Sequence, residues 1–223
     1  MGIQERKERE KEHRKEEILD AAQRIFFEKG LGASTMDEIA EAAELSKGTL
    51  YLYYKSKEDL YLAVATRGFR ALHDGFERIL QDEKSVVPAL VKIGHSYVEF
   101  FYTHRKYFQM FHFLQSPHFH KQVSEEMRMS CNAEAYKSWE RIIDLLKSGI
   151  VQGFVRNDLD PVEVTIIFWS SITTMLLRYD NEGEFWKKKM KIDLMHSLEV
   201  LMELLYESIL TEKGRKEYAA LKK

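Results

Sequence analysis

The sequence predicts an all-α protein, with a small three-helix, helix-turn-helix part at the N-terminus and a larger helical part after it. Three observations carry this. Only three prolines, at positions 88, 117 and 161, interrupt 223 residues, so long stretches keep every backbone donor. Apolar residues recur at threes and fours throughout, the period of an amphipathic helix. No stretch alternates apolar and polar residues for long enough to argue a strand.

Composition then bounds the class. Hydrophobic content of 44% beside 31% charge is that of a globular chain. A single cysteine excludes a disulfide framework and any Cys-rich zinc module, and fits a reducing, cytoplasmic setting. The 34 basic and 36 acidic side chains nearly cancel, so nucleic-acid binding would have to come from a local patch. The uncharged run from Val164 to Leu177 falls short of the ~20 residues of a spanning helix. The N-terminus is charged where a signal peptide would be apolar, so neither a membrane partner nor export is expected.

In chain order, residues 1–17 form a mixed-charge extension without an apolar face, expected to be solvated or frayed. From Ile18 the stripe Ile18, Ala22, Ile25 with Leu19 and Phe26 marks a helix, expected to stop at a left-handed Gly30. Thr35 with Glu38 is a capping box that opens a second helix at Met36 and turns Ile39, Ala40 and Ala43 inward. Ser46 caps a third helix from Lys47, with about two turns before Lys55, and Ser56 with Asp59 caps a fourth. Two short helices joined by a tight turn make a helix-turn-helix.

Charge placement points to what that unit does. Lys47 and Lys57 each follow an N-cap, where the helix dipole makes a cation unfavourable by ~0.3–1 kcal/mol. Free N–H groups beside a lysine form an anion site, which suits phosphate. Between them, Gly48, Thr49, Tyr51, Leu52 and Tyr53 are small or flat, while Leu50 and Tyr54 can face the core with Leu45. A short helix with so little acidic charge outside suits a major groove.

Residues 18 to 62 resemble the DNA-binding domain of TetR-type transcriptional repressors. The likeness lies in Thr35-Met-Asp-Glu-Ile-Ala-Glu-Ala-Ala and in Leu45-Ser-Lys-Gly-Thr-Leu-Tyr-Leu-Tyr-Tyr-Lys-Ser-Lys-Glu-Asp-Leu60. A looser echo, Gly153-Phe-Val-Arg-Asn-Asp-Leu-Asp-Pro161, resembles the loop before that family's last two helices. The family usually has glycine at the position of Glu44, and a left-handed non-glycine residue costs ~1–2 kcal/mol, so the turn could be reshaped. The resemblance implies phosphate contacts from Thr35, Tyr51 and Lys57. It also implies that Lys47, Gly48, Thr49 and Tyr53 approach base edges or the adjoining backbone, with Ser46 and Leu52 in the same DNA-binding segment.

Beyond Leu60 the apolar pattern runs through Phe69, Leu72, Phe76 and Leu80 as a connecting helix, with a break at Gln81 to Ser85. Residues 93 to 119 are dense in aromatic side chains, a composition that lines apolar pockets as well as cores. The resemblance implies a small effector among these central helices, and the candidate ligand residues are Tyr97, Phe101, His104, Phe108, Phe111, Tyr136, Trp139 and Phe168. His118-x-His120 lacks nearby cysteine or a carboxylate pair, so no metal is expected. No cofactor loop or catalytic motif occurs, and no enzyme is expected.

Asp160-Pro161 opens a helix that is apolar nearly all round to Leu177, and Met190, Leu194, Leu198, Leu201 and Leu205 follow as a narrower seam. Ile167, Phe168, Ile172, Leu194, Leu198, Leu201 and Leu205 are the candidate homodimer interface, in a four-helix bundle across a two-fold axis. Residues 211 to 223 are polar and expected to fray. The expectation is therefore a homodimeric DNA-binding regulator, with segment 18–57 for an operator and 58–223 for an apolar effector and dimerisation. A different class remains open: an all-helical ligand-binding or adaptor protein whose helix-turn-helix is structural only.

Overall fold

The computed structural model describes residues 2–222. Met1 and Lys223, the outer ends of the two expected charged termini, lie outside the described residues, as do the side chains of Ile3, Pro117 and His118, and with the last the first half of the His118-x-His120 pair. Eleven α-helices and one π-helical turn, Trp186–Met190, make up the described fold. Its one β-bridge, Val155 with Leu210, belongs to no strand.

The chain divides into two compact units, Met1–Ala71 with His104–Ala135, and Leu72–Thr103 with Tyr136–Lys223. The first holds α1 (Ile3–Ala33), α2 (Met36–Ala42), α3 (Lys47–Tyr53), the start of α4 (Lys57–Asp82), α6 (Arg105–Phe113), the one-turn α7 (Pro117–His120) and the start of α8 (Glu125–Val151). The second holds the rest of α4 and α8 with α5 (Val86–Thr103), α9 (Pro161–Phe185), α10 (Leu194–Ile209) and α11 (Glu212–Leu221).

In the first unit the core is Ile18, Ala22, Phe26, Ile39, Leu50 and Leu60, all at most 4% exposed. Burying such side chains stabilises by ~1.5–3 kcal/mol each. Polar ties add to it. Arg67 reaches across to Asp20 at 2.7 Å and to Glu16, and Tyr107 donates to Gln23 at 2.7 Å. Gly68 makes room for α6, since a Cβ there would lie 2.6 Å from the Tyr107 ring and 2.9 Å from Phe111. In the second unit Gly94 and Gly149 play that part. Their Cβ atoms would meet the Tyr206 hydroxyl at 2.0 Å and Val155 at 2.6 Å.

The ends of the helices differ from expectation in two places. Helix α1 is continuous from Ile3, its exposed first turns laced by pairs such as Arg6–Glu10 at 2.9 Å and Lys15–Glu12 at 2.7 Å. It is then broken at Gly30, as expected. That residue takes φ 72°, ψ 173°, a region almost confined to glycine, and the helix resumes for one more turn to Ala33. The polar tail is likewise ordered into α11. Thr211 caps it by accepting from the Gly214 N–H at 3.2 Å, Tyr218 is buried, and Gly214 lies so close to the Phe154 carbonyl that a Cβ would sit 2.3 Å from it. Charge alone hid that anchor in the sequence.

Candidate DNA-binding face and effector cavity

The helix-turn-helix is built from its caps. Thr35 accepts from the Glu38 N–H at 3.2 Å while Glu38 accepts from the Thr35 N–H at 2.9 Å, which closes the box that starts α2. Ser46 accepts from the Thr49 N–H at 3.1 Å and Ser56 from the Asp59 N–H at 3.0 Å, which starts α3 and α4. Between α2 and α3, Glu44 takes φ 55°. The turn therefore keeps its left-handed residue rather than being reshaped, at a cost of ~1–2 kcal/mol.

Helix α3 is anchored by Leu50, with no exposed surface, and by Tyr54 just beyond it, 8% exposed. Burial pushes the Tyr54 phenol up to about 12. Its other side faces out: Ser46, Lys47, Gly48, Tyr51 and Leu52 are exposed, Leu52 at 84%, and Thr49 and Tyr53 are half-buried. An 84% exposed leucine beside an exposed tyrosine gains nothing from its own fold. Gly48 is equally unexplained from within. Its φ is not positive, and the nearest atom to a Cβ would be the Ser46 hydroxyl at 3.9 Å.

The two lysines are engaged within the chain. Lys47 pairs with Asp37 at 2.7 Å, and this hydrogen bond raises the pKa of its exposed ammonium. Lys57 donates to the carbonyls of Leu31 at 2.9 Å and Ser34 at 3.0 Å. These carbonyls lie at the end of α1, where Leu31 O also accepts from the Ser34 N–H at 3.4 Å, so Lys57 works as an added cap for that end. The sequence placed Lys57 at the start of α4 but could not show where its four-carbon stem would turn.

The candidate ligand residues divide between the units. His104, Phe108 and Phe111 lie in the first, where Phe108 is 2% exposed and Phe111 stacks on Phe69 with centroids 3.9 Å apart. His104 is exposed at the start of α6. Tyr97, Phe101, Tyr136, Trp139 and Phe168 lie in the second. There an apolar cavity of about 60 Å³ is lined by Tyr97 and Phe168 together with Leu90, Ile93, Ile142, Leu146, Val164, Ile172 and Tyr206, from α5, α8, α9 and α10. Its hydroxyls are already used: Tyr97 shares a 2.8 Å bond with Thr173, and Tyr206 donates to the Leu90 carbonyl at 3.3 Å. Burial pushes the Tyr97 phenol up to about 12 and Tyr206 further in the same direction. Phe101 is 1% exposed, Trp139 packs on Trp169 with centroids 5.3 Å apart, and Tyr136 is 56% exposed; none of the three lines the cavity.

Of the candidate interface residues, Ile172, Leu194 and Leu198 are at most 6% exposed within their own chain, which leaves them no surface for a partner. The free apolar face of α9 and α10 is Val162, Ile166, Ile167, Val200 and Leu204, between 43% and 63% exposed, with Phe168, Leu201 and Leu205 half-buried. A helix apolar nearly all round does not say in sequence which side its own chain covers. Among the described residues there is no cluster of three metal-ligating side chains, and no helix is long and apolar enough to cross a membrane. Cys131 is buried, and burial pushes its thiol up.

A family model described as bacterial regulatory proteins of the tetR family matches residues 18–64. The HTH-type transcriptional repressor KstR2 of Mycolicibacterium smegmatis is 28% identical over 76% of this chain and 80% of its own length. The solved structure of the regulator FadR from Bacillus subtilis, in complex with stearoyl-CoA, is 20% identical, covers 85% of this chain and 96% of its own, and has a TM-score of 0.66. Thermus thermophilus FadR, in complex with lauroyl-CoA, is 24% identical, covers 89% and 96%, and has a TM-score of 0.63. Those two likenesses show the shared fold. With the capped helix-turn-helix and the outward α3, the family match makes residues 18–64 a tetR-family DNA-binding domain, and over most of its length the chain is similar to transcriptional regulators that carry this domain.

Proposed function

We propose that the protein is a homodimeric repressor that is released from its operator by a mostly apolar effector. The observation that carries it is Gly48 on the open face of α3, whose missing side chain serves no contact in the chain. Segment 18–57 places that face in the major groove, with Thr35, Tyr51 and Lys57 near phosphates and Lys47, Gly48, Thr49 and Tyr53 near base edges. Lys57 keeps one of its three donors for this, since two hold α1. Segment 58–223 pairs two chains through the free apolar face of α9 and α10. Binding a chromosomal operator places the protein in the cytoplasm.

The effector enters the cavity beside Tyr97 and Phe168. Its body is an acyl or other hydrocarbon group, a reading that the stearoyl-CoA and lauroyl-CoA complexes of the two FadR structures support. A cavity of about 60 Å³ holds a few waters, far less than such a ligand, so the effector must select a more open form of the second unit. Loosening DNA a hundredfold needs ~2.7 kcal/mol of preference for that form.

The test is titration of the full chain onto DNA flanking its own gene at several salt concentrations. Binding should protect a near-palindrome with half-sites about 34–36 Å apart, or more if two dimers share it, and log K should fall linearly with log salt. Salt-independent binding, or none at low salt, would leave the helix-turn-helix as a structural element.

A further inference from the structure

We propose that the first unit holds a second ligand site, a cleft between the end of α1 and α6 that takes an elongated aromatic acid with an oxygen at its far end. The cleft measures about 460 Å³, within the ~300–1,000 Å³ of small-molecule sites, so it admits a ligand without opening further. It is lined by residues 26–32 of α1, Tyr61 of α4, and Lys106, Gln109, Met110 and Phe113 of α6, all within that one unit. It shares no residue with the cavity of the second unit, so either can fail without the other.

The four α6 residues stand three, four and seven positions after one another's start, which is one face of a helix. Lys106 and Phe113 therefore mark the two ends of that wall, about 10 Å apart along the axis. Between the ends the lining is apolar, with Phe26 and Met110 each 4% exposed. Phe113 is 44% exposed, although its ring packs edge-on against Tyr61 at 5.7 Å and Phe119 at 5.5 Å. A ring held on one side and open on the other offers its free side to another ring.

Each end also has an uncommitted donor. Lys106 is exposed and, among the described residues, enters no ion pair or hydrogen bond. The other lysine of the cleft, Lys29, is held by Glu38 at 2.7 Å, and that hydrogen bond, with the charges of Glu38 and Glu28, raises its pKa. Glu28, the one carboxylate of the lining, thus already faces a cation, and an amine ligand would meet Lys106 as a like charge. At the Phe113 end Tyr61 is 5% exposed, with its ring packed on Phe26, Phe113 and Phe119. Burial pushes its phenol up, which keeps it a neutral donor. Among the described residues its hydroxyl has no hydrogen-bond partner, yet it is not one of the fully enclosed unpaired atoms. It therefore borders open space, and the space that Tyr61 lines is the cleft. A ligand carboxylate pairs with Lys106, and an oxygen at the other end of a two-ring body accepts from the Tyr61 O–H.

Calorimetric titration of the full chain with 4′-hydroxybiphenyl-4-carboxylate, biphenyl-4-carboxylate and 4′-hydroxybiphenyl-4-carboxamide tests this. The first should bind roughly fivefold tighter than either of the others, the size of one net hydrogen bond or one exposed ion pair. Lys106→Gln should abolish the preference for carboxylate over amide and keep that for the hydroxyl, and Tyr61→Phe should do the reverse. Neither substitution breaks a bond within the chain, so both variants should melt with the parent. Equal binding of the three probes, or a preference that survives its own substitution, overturns the assigned ligand, because the probe then sits elsewhere. A lowered melting temperature in Tyr61→Phe would mean that the hydroxyl is engaged within the chain, which overturns it as well. If no probe binds, the cleft is not a ligand site.

Discussion

Helices α3 and α5 each carry a glycine, and the two are there for opposite reasons. Gly94 on α5 is walled in: a Cβ would lie 2.0 Å from the Tyr206 hydroxyl and 3.1 Å from the Met202 methyl. Gly48 on α3 has open space, with nothing nearer than 3.9 Å. One glycine is demanded by the chain's own packing, the other by nothing in the chain. In sequence both are simply residues of low helix propensity. A glycine that costs helix stability without easing an internal contact suits the DNA-facing role proposed for α3.

The largest expected effect tests the packed side of that contrast. Phe101, 1% exposed in the second unit, should cost ~3–5 kcal/mol on truncation to Ala, read as a lowered melting temperature. Loss of effector response alone, with stability kept, would move Phe101 from the core to the ligand site. Next comes Gly48→Ala, which should lower operator affinity by about tenfold or more while the free protein melts no lower. Unchanged affinity for operator DNA removes Gly48 from the interface. Gly94→Ala should do the reverse, costing ~1–3 kcal/mol of stability with operator affinity per folded dimer unchanged. Adding Tyr206→Phe, which deletes the clashing oxygen, should restore much of the loss. If the double variant is no better than the single one, the obstruction is not the hydroxyl.

What the sequence made legible follows the same division. Thr35, Ser46, Ser56 and Asp160 were readable because a cap is a pattern within four residues, and each makes the expected hydrogen bond. Leu50 and Tyr54 followed from spacing. The apolar face of α9 was readable as apolar but not as divided, since Ile172 turns to its own chain and Ile166 to solvent only once α10 is in place. Lys57 was read from its position on α4, whereas its partners lie 26 and 23 residues earlier. Phe108 and Phe111 were grouped with Tyr97 because all three are aromatic and near in sequence. The chain then folds α6 into one unit and α5 into the other. Sequence distance cannot report such a split.

Lys57 sharpens the polar half of the contrast. If its third donor meets a phosphate, Lys57→Ala should weaken binding to every DNA sequence alike and lower the salt slope by about 1. Losing its two bonds to α1 should also cost the free protein ~1–2 kcal/mol. A loss of stability with an unchanged slope would make Lys57 a cap and nothing more.

The smallest expected effect is at Glu44, between the two helices. Its φ of 55° places a Cβ where only glycine is at ease, and the left-handed conformation costs ~1–2 kcal/mol. Glycine would remove that strain but adds freedom to the unfolded chain worth ~0.4–1 kcal/mol, so Glu44→Gly should stabilise the protein by between nothing and about 1.6 kcal/mol. Glu44 is exposed, and its replacement also removes a negative charge from the unit that carries α3. Operator binding should therefore tighten slightly at low salt, and the gain should fade as salt screens the charge. A tightening that persists at high salt would instead mean that the turn angle had changed, and with it the presentation of Gly48. Thermal melting and binding at two ionic strengths separate the two, because only relief of backbone strain raises stability independently of salt.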